Sequence, residues 1–343
     1  MAEAAVLIQG LTKKFGDILA VDHINLQIQK GEIFGLLGPN GAGKTTTIRM
    51  LCTLLEPTDG TAKVAGYDIR KQPAEVRRSI GVVSEGVDLY SDLTARENLV
   101  LLGKLFGVPK KFLTKRIDEL LDFIGLTDRA DDLVSTFSTG MRKKILIISA
   151  LIHNPQLLYL DEVTSGLDPE TAVSVRELTQ RLQKQGITII WTTHYLDEPE
   201  RICDRVGIIY GGRILALGTP KEVKTIASSS TTINFTLGKP PVQECLDCLR
   251  SVPGITAVNS SETSLSLIVQ NHEAPIPQIM ECLNRFHVVI LDLAKKEPSL
   301  EEAFLKLIGE ASPKKSNMQV GVTDEVERLR REILDAVNKI KSG

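Results

Sequence analysis

No stretch of this chain is long and apolar enough to read as a membrane-crossing helix. The uninterrupted apolar runs are short, Ile145 to Ile148 and Ala150 to Ile152 among them, whereas a spanning helix needs about 20 such residues. The N-terminus, MAEAAVLIQG, has no basic segment followed by an apolar core and a small-residue cleavage site, so the sequence reads as cytoplasmic. A charge excess is missing as well. The formal net charge is −2 in 343 residues, which gives no global pull toward nucleic acid. Cysteine is sparse and odd in number: five are scattered along the chain, at 52, 203, 245, 248 and 282, a pattern that fits reduced thiols better than a disulfide framework. Cys245 and Cys248 form a C-x-x-C that could serve redox chemistry or half of a zinc site. No second such pair completes a metal centre, and Val242, Cys245, Cys248 and Leu249 make one apolar helical stripe, so core packing is expected of them.

What is present is ample for more than one domain, since 42% of the residues are hydrophobic and 24% charged, the balance of an ordinary globular chain. From Val6 to about Thr225, apolar runs of strand length alternate with helical patterns, which predicts an α/β domain with a parallel sheet. The clearest strands are Ile33 to Leu37, Ile80 to Val83, Leu157 to Leu160, Ile187 to Thr192 and Val206 to Tyr210. Between Leu93 and Leu151 the pattern turns helical, so an insertion over roughly residues 87–151 is expected. A polar linker, Ala227 to Thr232, closes this first domain near residue 226.

Residues 227–311 then read strand, helix, strand, strand, helix, strand, which predicts a small α+β ferredoxin-like domain. Its strands are placed at Ile233 to Leu237, Thr256 to Asn259, Ser264 to Val269 and Val288 to Leu293. A helix from Ser299 to Leu307 follows, with Ser299 and Glu302 at capping-box spacing. Residues 312–343 read as a linker and an amphipathic tail in which Val326, Leu329, Ile333, Ala336 and Ile340 keep a heptad register. Docking on its own chain and pairing with another chain both fit that stripe.

The chemistry begins at Gly38 to Thr45, GPNGAGKT, which fits G-x-x-x-x-G-K-[ST] between an apolar strand and a helical pattern, the context of a P-loop. Glycines at 38, 41 and 43 let backbone amides turn around phosphates, with Pro39, Asn40 and Ala42 between them. Lys44 reaches the β/γ-phosphates, Thr45 can ligate Mg²⁺, and Thr46 continues the loop into the helix. The run Leu157 to Glu162, LLYLDE, delivers two carboxylates at a strand end. Asp161 suits Mg²⁺, and Glu162, pointing elsewhere, is placed to activate the attacking water.

These two motifs alone specify only a nucleotide hydrolase. FSTGM (Phe137 to Met141) before a helix, SGLD (Ser165 to Asp168) after the acidic pair and His194 after ITIIWTT, in that order and spacing, resemble the ABC ATPase family. The resemblance covers roughly Val6 to Thr225. It implies that Ser138 and Gly140 belong to a signature that closes over the γ-phosphate held by a second subunit, that Asp168 lies near the dimer contact, and that His194 touches the γ-phosphate. Phe15, in KKFGD, matches the aromatic residue that stacks on adenine; packing into the core is its competing role. The signature departs from the family's LSGGQ at Phe137, Thr139 and Met141. Where the family carries a glutamine after the strand IGVV, this chain has Ser84 and Glu85, and Glu85 is a candidate for a Mg²⁺ or water contact. PSLEEAFLKL, following a small α/β segment, resembles the C-terminal extension of exporter ATPases of the daunorubicin-resistance and sodium-export type.

The expected function is thus an ATP- and Mg²⁺-dependent hydrolase. The resemblance implies that a homodimer encloses ATP and drives a separate membrane permease from the cytoplasmic face, with Glu162, His194 and Lys44 as the catalytic set. Two other classes compete. A soluble ATPase acting on ribosomes or DNA would usually join two cassettes or carry a long coiled coil between motifs, neither of which is seen here. A ligand-regulated ATPase would use the C-terminal domain as its sensor.

Overall fold

The computed structural model describes residues 4–84, 86–227, 230–270, 275–296 and 299–311. In chain order they begin with β1 (Ala4–Phe15), β2 (Ile18–Gln29), β3 (Ile33–Leu37), α1 (Lys44–Leu51), β4 (Asp59–Val64), β5 (Tyr67–Asp68), α2 (Pro73–Ser79) and β6 (Ile80–Val83). Three helices follow: α3 (Ala95–Leu105), α4 (Lys110–Phe123) and α5 (Thr139–Ser149). The chain then returns to the sheet through β7 (Leu157–Asp161), α6 (Pro169–Lys184), β8 (Thr188–Thr193), α7 (Asp197–Ile202), β9 (Arg205–Tyr210), β10 (Arg213–Gly218) and α8 (Pro220–Ala227). The remaining elements are β11 (Ser230–Leu237), α9 (Gln243–Ser251), β12 (Ile255–Ser261), β13 (Ser264–Gln270), α10 (Ile276–Arg285), β14 (Ile290–Lys296) and α11 (Leu300–Ala311). The chain divides into two compact units, Met1–Leu307 and Ile308–Gly343. The heptad tail and Glu85 lie outside the described residues.

The central sheet has the order β10-β9-β3-β8-β7-β6. Its β3, β6, β7, β8 and β9 run parallel, and β10 is antiparallel to β9. Every residue of β3, β7 and β8 is buried, as expected of strands covered on both faces. Trp191, Tyr159 and Phe34 are the largest side chains sealed there.

The motifs predicted only this parallel sheet. A second, antiparallel one, β2-β1-β4-β5, stands beside it. Its signal is the period-2 burial of β2, where Val21, Ile24, Leu26 and Ile28 are buried and His23, Asn25 and Gln27 are exposed, a half-buried strand. That alternation is easily lost among the apolar runs of the central strands. Between β6 and β7 lie α3, α4 and α5, and α3 starts with a full capping box between Thr94 and Glu97.

In the region after α8 the observed element order is β11-α9-β12-β13-α10-β14, with an antiparallel sheet ordered β12-β13-β11-β14. Ile233, Phe235, Leu237, Leu265, Leu267 and Val269 face a core shared with the helices. The last strand, expected over Val288 to Leu293, runs instead from Ile290 to Lys296.

The cysteine reading needs correction: Cys248 is joined to Cys282 in a disulfide, while Cys52, Cys203 and Cys245 are free and buried. The physical reason is tertiary. Helices α9 and α10 pack side by side on one sheet face, bringing together two cysteines 34 residues apart. The buried stripe of α9 is Cys245, Leu246 and Leu249, and Val242, placed in that stripe from the sequence, is 52% exposed just before the helix. Ser299 and Glu302 do form the expected reciprocal cap, the Glu302 amide donating to Ser299 Oγ at 3.1 Å and the Ser299 amide to Glu302 Oε2 at 3.3 Å.

Candidate active site

Strands β3, β8 and β7 are adjacent and parallel, with Leu37 opposite Thr193 and Asp161 opposite Thr192. Three motifs far apart in sequence therefore end on one edge of the sheet, where open α/β folds place their ligands. There a polar cleft of about 230 Å³ is lined by Pro39, Asn40, Gly41, Gly43, Lys44, Thr45, Thr46, Asp161, Glu162, Ser165 and His194, with Ala20 from β2.

The loop before α1 is built against β9. A Cβ on Gly38 would sit 2.3 Å from the Ile209 carbonyl oxygen, and Gly43, at φ 109°, would place one 2.7 Å from the Ala20 carbonyl oxygen. Only glycine fits either position. The Gly212 amide donates to the Ala42 carbonyl at 3.0 Å, so the hairpin between β9 and β10 braces the loop from outside. Thr47 Oγ1 donates to Gly43 O at 2.9 Å, inside the first turn of α1.

Lys44 is nearly sealed. Its ammonium donates to Gly38 O at 2.6 Å and Pro39 O at 3.2 Å, and lies 3.8 Å from Glu162 Oε1. Burial depresses the Lys44 pKa, opposed by the Glu162 and Asp161 carboxylates. The loop carbonyls hold the ammonium inside the loop, where its charge complements a phosphate.

The two neighbouring carboxylates separate as their sequence position suggests. Asp161 accepts from Thr192 Oγ1. Glu162 adopts φ 53°, a left-handed conformation uncommon for a residue with a side chain, pinned by its amide donating to Thr192 O at 3.1 Å. That turn sends the Glu162 carboxylate toward Lys44 and toward His194, whose Nδ1 donates to Glu162 Oε2 at 2.6 Å. Nε2 of His194 is left as its second polar ring atom.

Other sequence candidates sit elsewhere. Ser138 caps α5 by accepting from the Met141 amide at 3.2 Å, and Asp168 caps α6 by accepting from the Thr171 amide at 2.9 Å. Thr171, through its side chain first and its amide second, holds the Asp168 carboxyl below the usual carboxylate range. Gly140 lies against Thr171, which a Cβ would meet at 3.0 Å, so these two helix starts are neighbours. Phe15 is 47% exposed at the tip of the β1–β2 hairpin with Lys13 Nζ 5.1 Å from its ring centre. None of Phe15, Ser138, Gly140 and Asp168 lines the cleft.

Reasoning from sequence missed Thr192, Ala20 and above all Glu198. The Glu198 carboxylate is buried in α7, accepting from Thr164 Oγ1 at 2.7 Å and from an Arg176 guanidinium nitrogen at 2.9 Å. It thus ties the segment after Glu162 to the helix that follows His194. A carboxylate four residues past a strand-end histidine was the available signal, but nothing in its spacing shows that it turns inward.

Together, a phosphate-type loop, a buried lysine and two divergent strand-end carboxylates define a P-loop nucleotide hydrolase. The description "ABC transporter" fits residues 21–165 of the chain. Over 304 residues the chain is 38% identical to the linearmycin resistance ATP-binding protein LnrL of Bacillus subtilis, covering 88% of this chain and 97% of that one. Over 323 residues it is 36% identical to the daunorubicin/doxorubicin resistance ATP-binding protein DrrA of Streptomyces peucetius, covering 94% and 98%. Among solved structures, cbiO1 from Clostridium perfringens, part of the ABC transporter complex cbiONQ, superposes with a TM-score of 0.61 at 31% identity, covering 65% of this chain and 91% of that one. The chain belongs to the ABC transporter ATP-binding proteins, of the drug-resistance exporter type, and is an ATPase that energises transport.

Proposed function

We propose that two copies of this chain enclose two ATP molecules and drive a separate membrane permease in the direction of export, as their relatives' resistance names suggest. The observation that carries the reading is the Lys44–Glu162–His194 line in a polar cleft at the sheet edge. Lys44 and the loop amides of residues 38–46 hold the β- and γ-phosphates, where an anion replaces the loop carbonyls as the partner of the ammonium. Glu162 orients the attacking water, and His194, fixed through Nδ1, presents Nε2 to the γ-phosphate. Phe15, exposed at the tip of the β1–β2 hairpin, stacks on adenine.

Thr45 and Asp161 form a hard-oxygen donor pair in that cleft, a fit for Mg²⁺, which takes few protein ligands and leaves its other positions to phosphate and water. When bound, the ion neutralises charge that develops on the phosphate oxygens. Ser138, Gly140 and Asp168, outside the cleft of their own chain, complete the second subunit's site, the α5 N-terminus supplying a positive end for the γ-phosphate.

The permease docks in an apolar groove of about 330 Å³ between the central sheet and α3, where Leu54, Val82, Val87, Tyr90 and Phe106 are exposed. No helix among the described residues is long and apolar enough to cross a membrane; in this reading the permease is a separate polypeptide and this chain works from the cytoplasmic face. Residues 1–226 form the ATPase domain. Residues 227–311 form a ferredoxin-like domain, a reading supported by its β12-β13-β11-β14 antiparallel order with two helices on one face. Residues 312–343 form the linker and tail.

Substituting Glu162→Gln tests the assignment. Phosphate release should fall by about a hundredfold or more, while ATP is still bound and ATP-dependent dimers accumulate on gel filtration. Turnover at the wild-type rate would reject the role given to Glu162.

A further inference from the structure

The turn between α3 and α4 carries a surface that ATP chemistry does not use. From Lys104 to Arg116 there are five basic residues and no acid, in a chain whose net charge is −2. Leu105, Phe106 and Phe112 are 72%, 48% and 58% exposed at this turn, side by side with exposed Lys104, Lys110, Lys111 and Lys115. The Lys111 ammonium lies 4.6 Å from the Phe112 ring centre.

Two features set the turn apart from a merely solvated helix face. First, the start of α4 runs against helix electrostatics: it has no side-chain cap, no acid in its first turn, and two lysines, Lys110 and Lys111, at the end where the dipole is positive. Cations are disfavoured there, and no ion pair of Lys104, Lys110 or Lys111 is found among the described residues. Lys115 lies 3.8 Å from Glu119 on an exposed face, and Arg116 is engaged with Glu119 at 3.9 Å and with the Leu151 carbonyl. Secondly, the apolar side chains are held out rather than folded in. Phe106 is stacked on His153, ring centres 4.1 Å apart, so it cannot turn away from the surface without losing that contact.

We propose that this turn rests on an anionic lipid bilayer, with Leu105 and Phe112 entering the headgroup boundary and Lys104, Lys110, Lys111 and Lys115 meeting lipid phosphates. Interleaved apolar and basic side chains match a surface that is apolar beneath and anionic above. An acidic protein segment would satisfy the lysines but not explain three large apolar groups among them, and nucleic acid would leave the aliphatic Leu105 uncovered. Phe106 also lines the groove assigned to the permease, so this side of the chain is the one that reading turns toward the membrane. Lipid binding is nevertheless a property of the chain alone, and its failure would leave the transporter reading standing.

The test is co-sedimentation of the full-length protein with phosphatidylcholine vesicles, with and without phosphatidylglycerol. Wild-type protein should bind only the anionic vesicles and be released by salt. The variant with Lys104, Lys110, Lys111 and Lys115 all changed to Gln should bind at least a hundredfold more weakly, at about fivefold per lysine. Leu105→Ser with Phe112→Ser should also weaken binding, and ATPase activity of both variants should match wild type. Absence of wild-type binding to anionic vesicles, or equal binding by the lysine variant, would overturn the proposal. So would lysine variants that bind vesicles normally but lose the permease in detergent, which would make the turn a protein docking surface.

Discussion

Glu198 offers the sharpest test of how the site is held. Its carboxylate is 5% exposed and bonded to Arg176, itself only 14% exposed, and to Thr164. Changing Glu198→Ala removes the buried acceptor of both the Thr164 hydroxyl and the Arg176 guanidinium and leaves these donors without a partner, which costs about 3 to 5 kcal/mol. At about 2 to 4 °C per kcal/mol for a large domain, the unfolding midpoint should fall by about 10 °C. Trp191 is the single tryptophan, fully buried in β8 two residues before Thr193, so its emission reports this region directly. Changing Arg176 and Glu198 together to Met removes both charges and should recover most of the loss, since an apolar pair of similar volume is often as stable as the buried ions.

The pH dependence adds a signed check. Burial raises the Glu198 pKa above its ordinary 4.5, despite the Thr164 and Arg176 bonds that lower it. The folded state therefore binds this proton more tightly than the unfolded chain does. Relative to Glu198→Gln, the wild type should gain stability as pH falls through the folded-state pKa, with the gain complete below about 4.5. A Glu198→Ala midpoint within a degree of wild type, or a double variant no better than the single one, would refute the pairing argument.

Two further outcomes follow from the site and the C-terminal region. Phe15→Ala should weaken ATP binding about tenfold, the scale of one base-on-aromatic stack, with little change in turnover at saturation; equilibrium binding of a fluorescent ATP analogue measures it, and unchanged affinity would remove Phe15 from the adenine site. In denaturant without reductant, maleimide should label three thiols, and five after reduction, because Cys248 and Cys282 are paired; Cys248→Ser should cost about 3 to 4 kcal/mol for a closed loop of this length, and five labelled thiols without reductant would contradict the bond.

The local motifs are legible because each is set by chain-neighbour geometry. GPNGAGKT needs its glycines for turns and close approach, and LLYLDE needs only a buried strand that ends in acids. The loop and the strand-end carboxylates were therefore readable from spacing, as was the Ser299–Glu302 cap. The antiparallel sheet of β1, β2, β4 and β5 was not, since its two hairpins are joined by the β1–β4 pairing, which links residues dozens of positions apart such as Val6 and Val64.

Tertiary structure alone decided which of these parts meet. The placement of β8 between β3 and β7 brings His194 to Glu162 and Glu162 to Lys44, an arrangement that sequence order, with β7 before β8, does not reveal. The inward turn of Glu198 and the Cys248–Cys282 bond have the same origin. Both join residues whose proximity is created by packing of whole helices, and a side chain's partner across such a packing carries no local signature. The sequence by itself determined the chemical groups and the turns that expose them; the parallel sheet and the helices packed on it determined which groups act together.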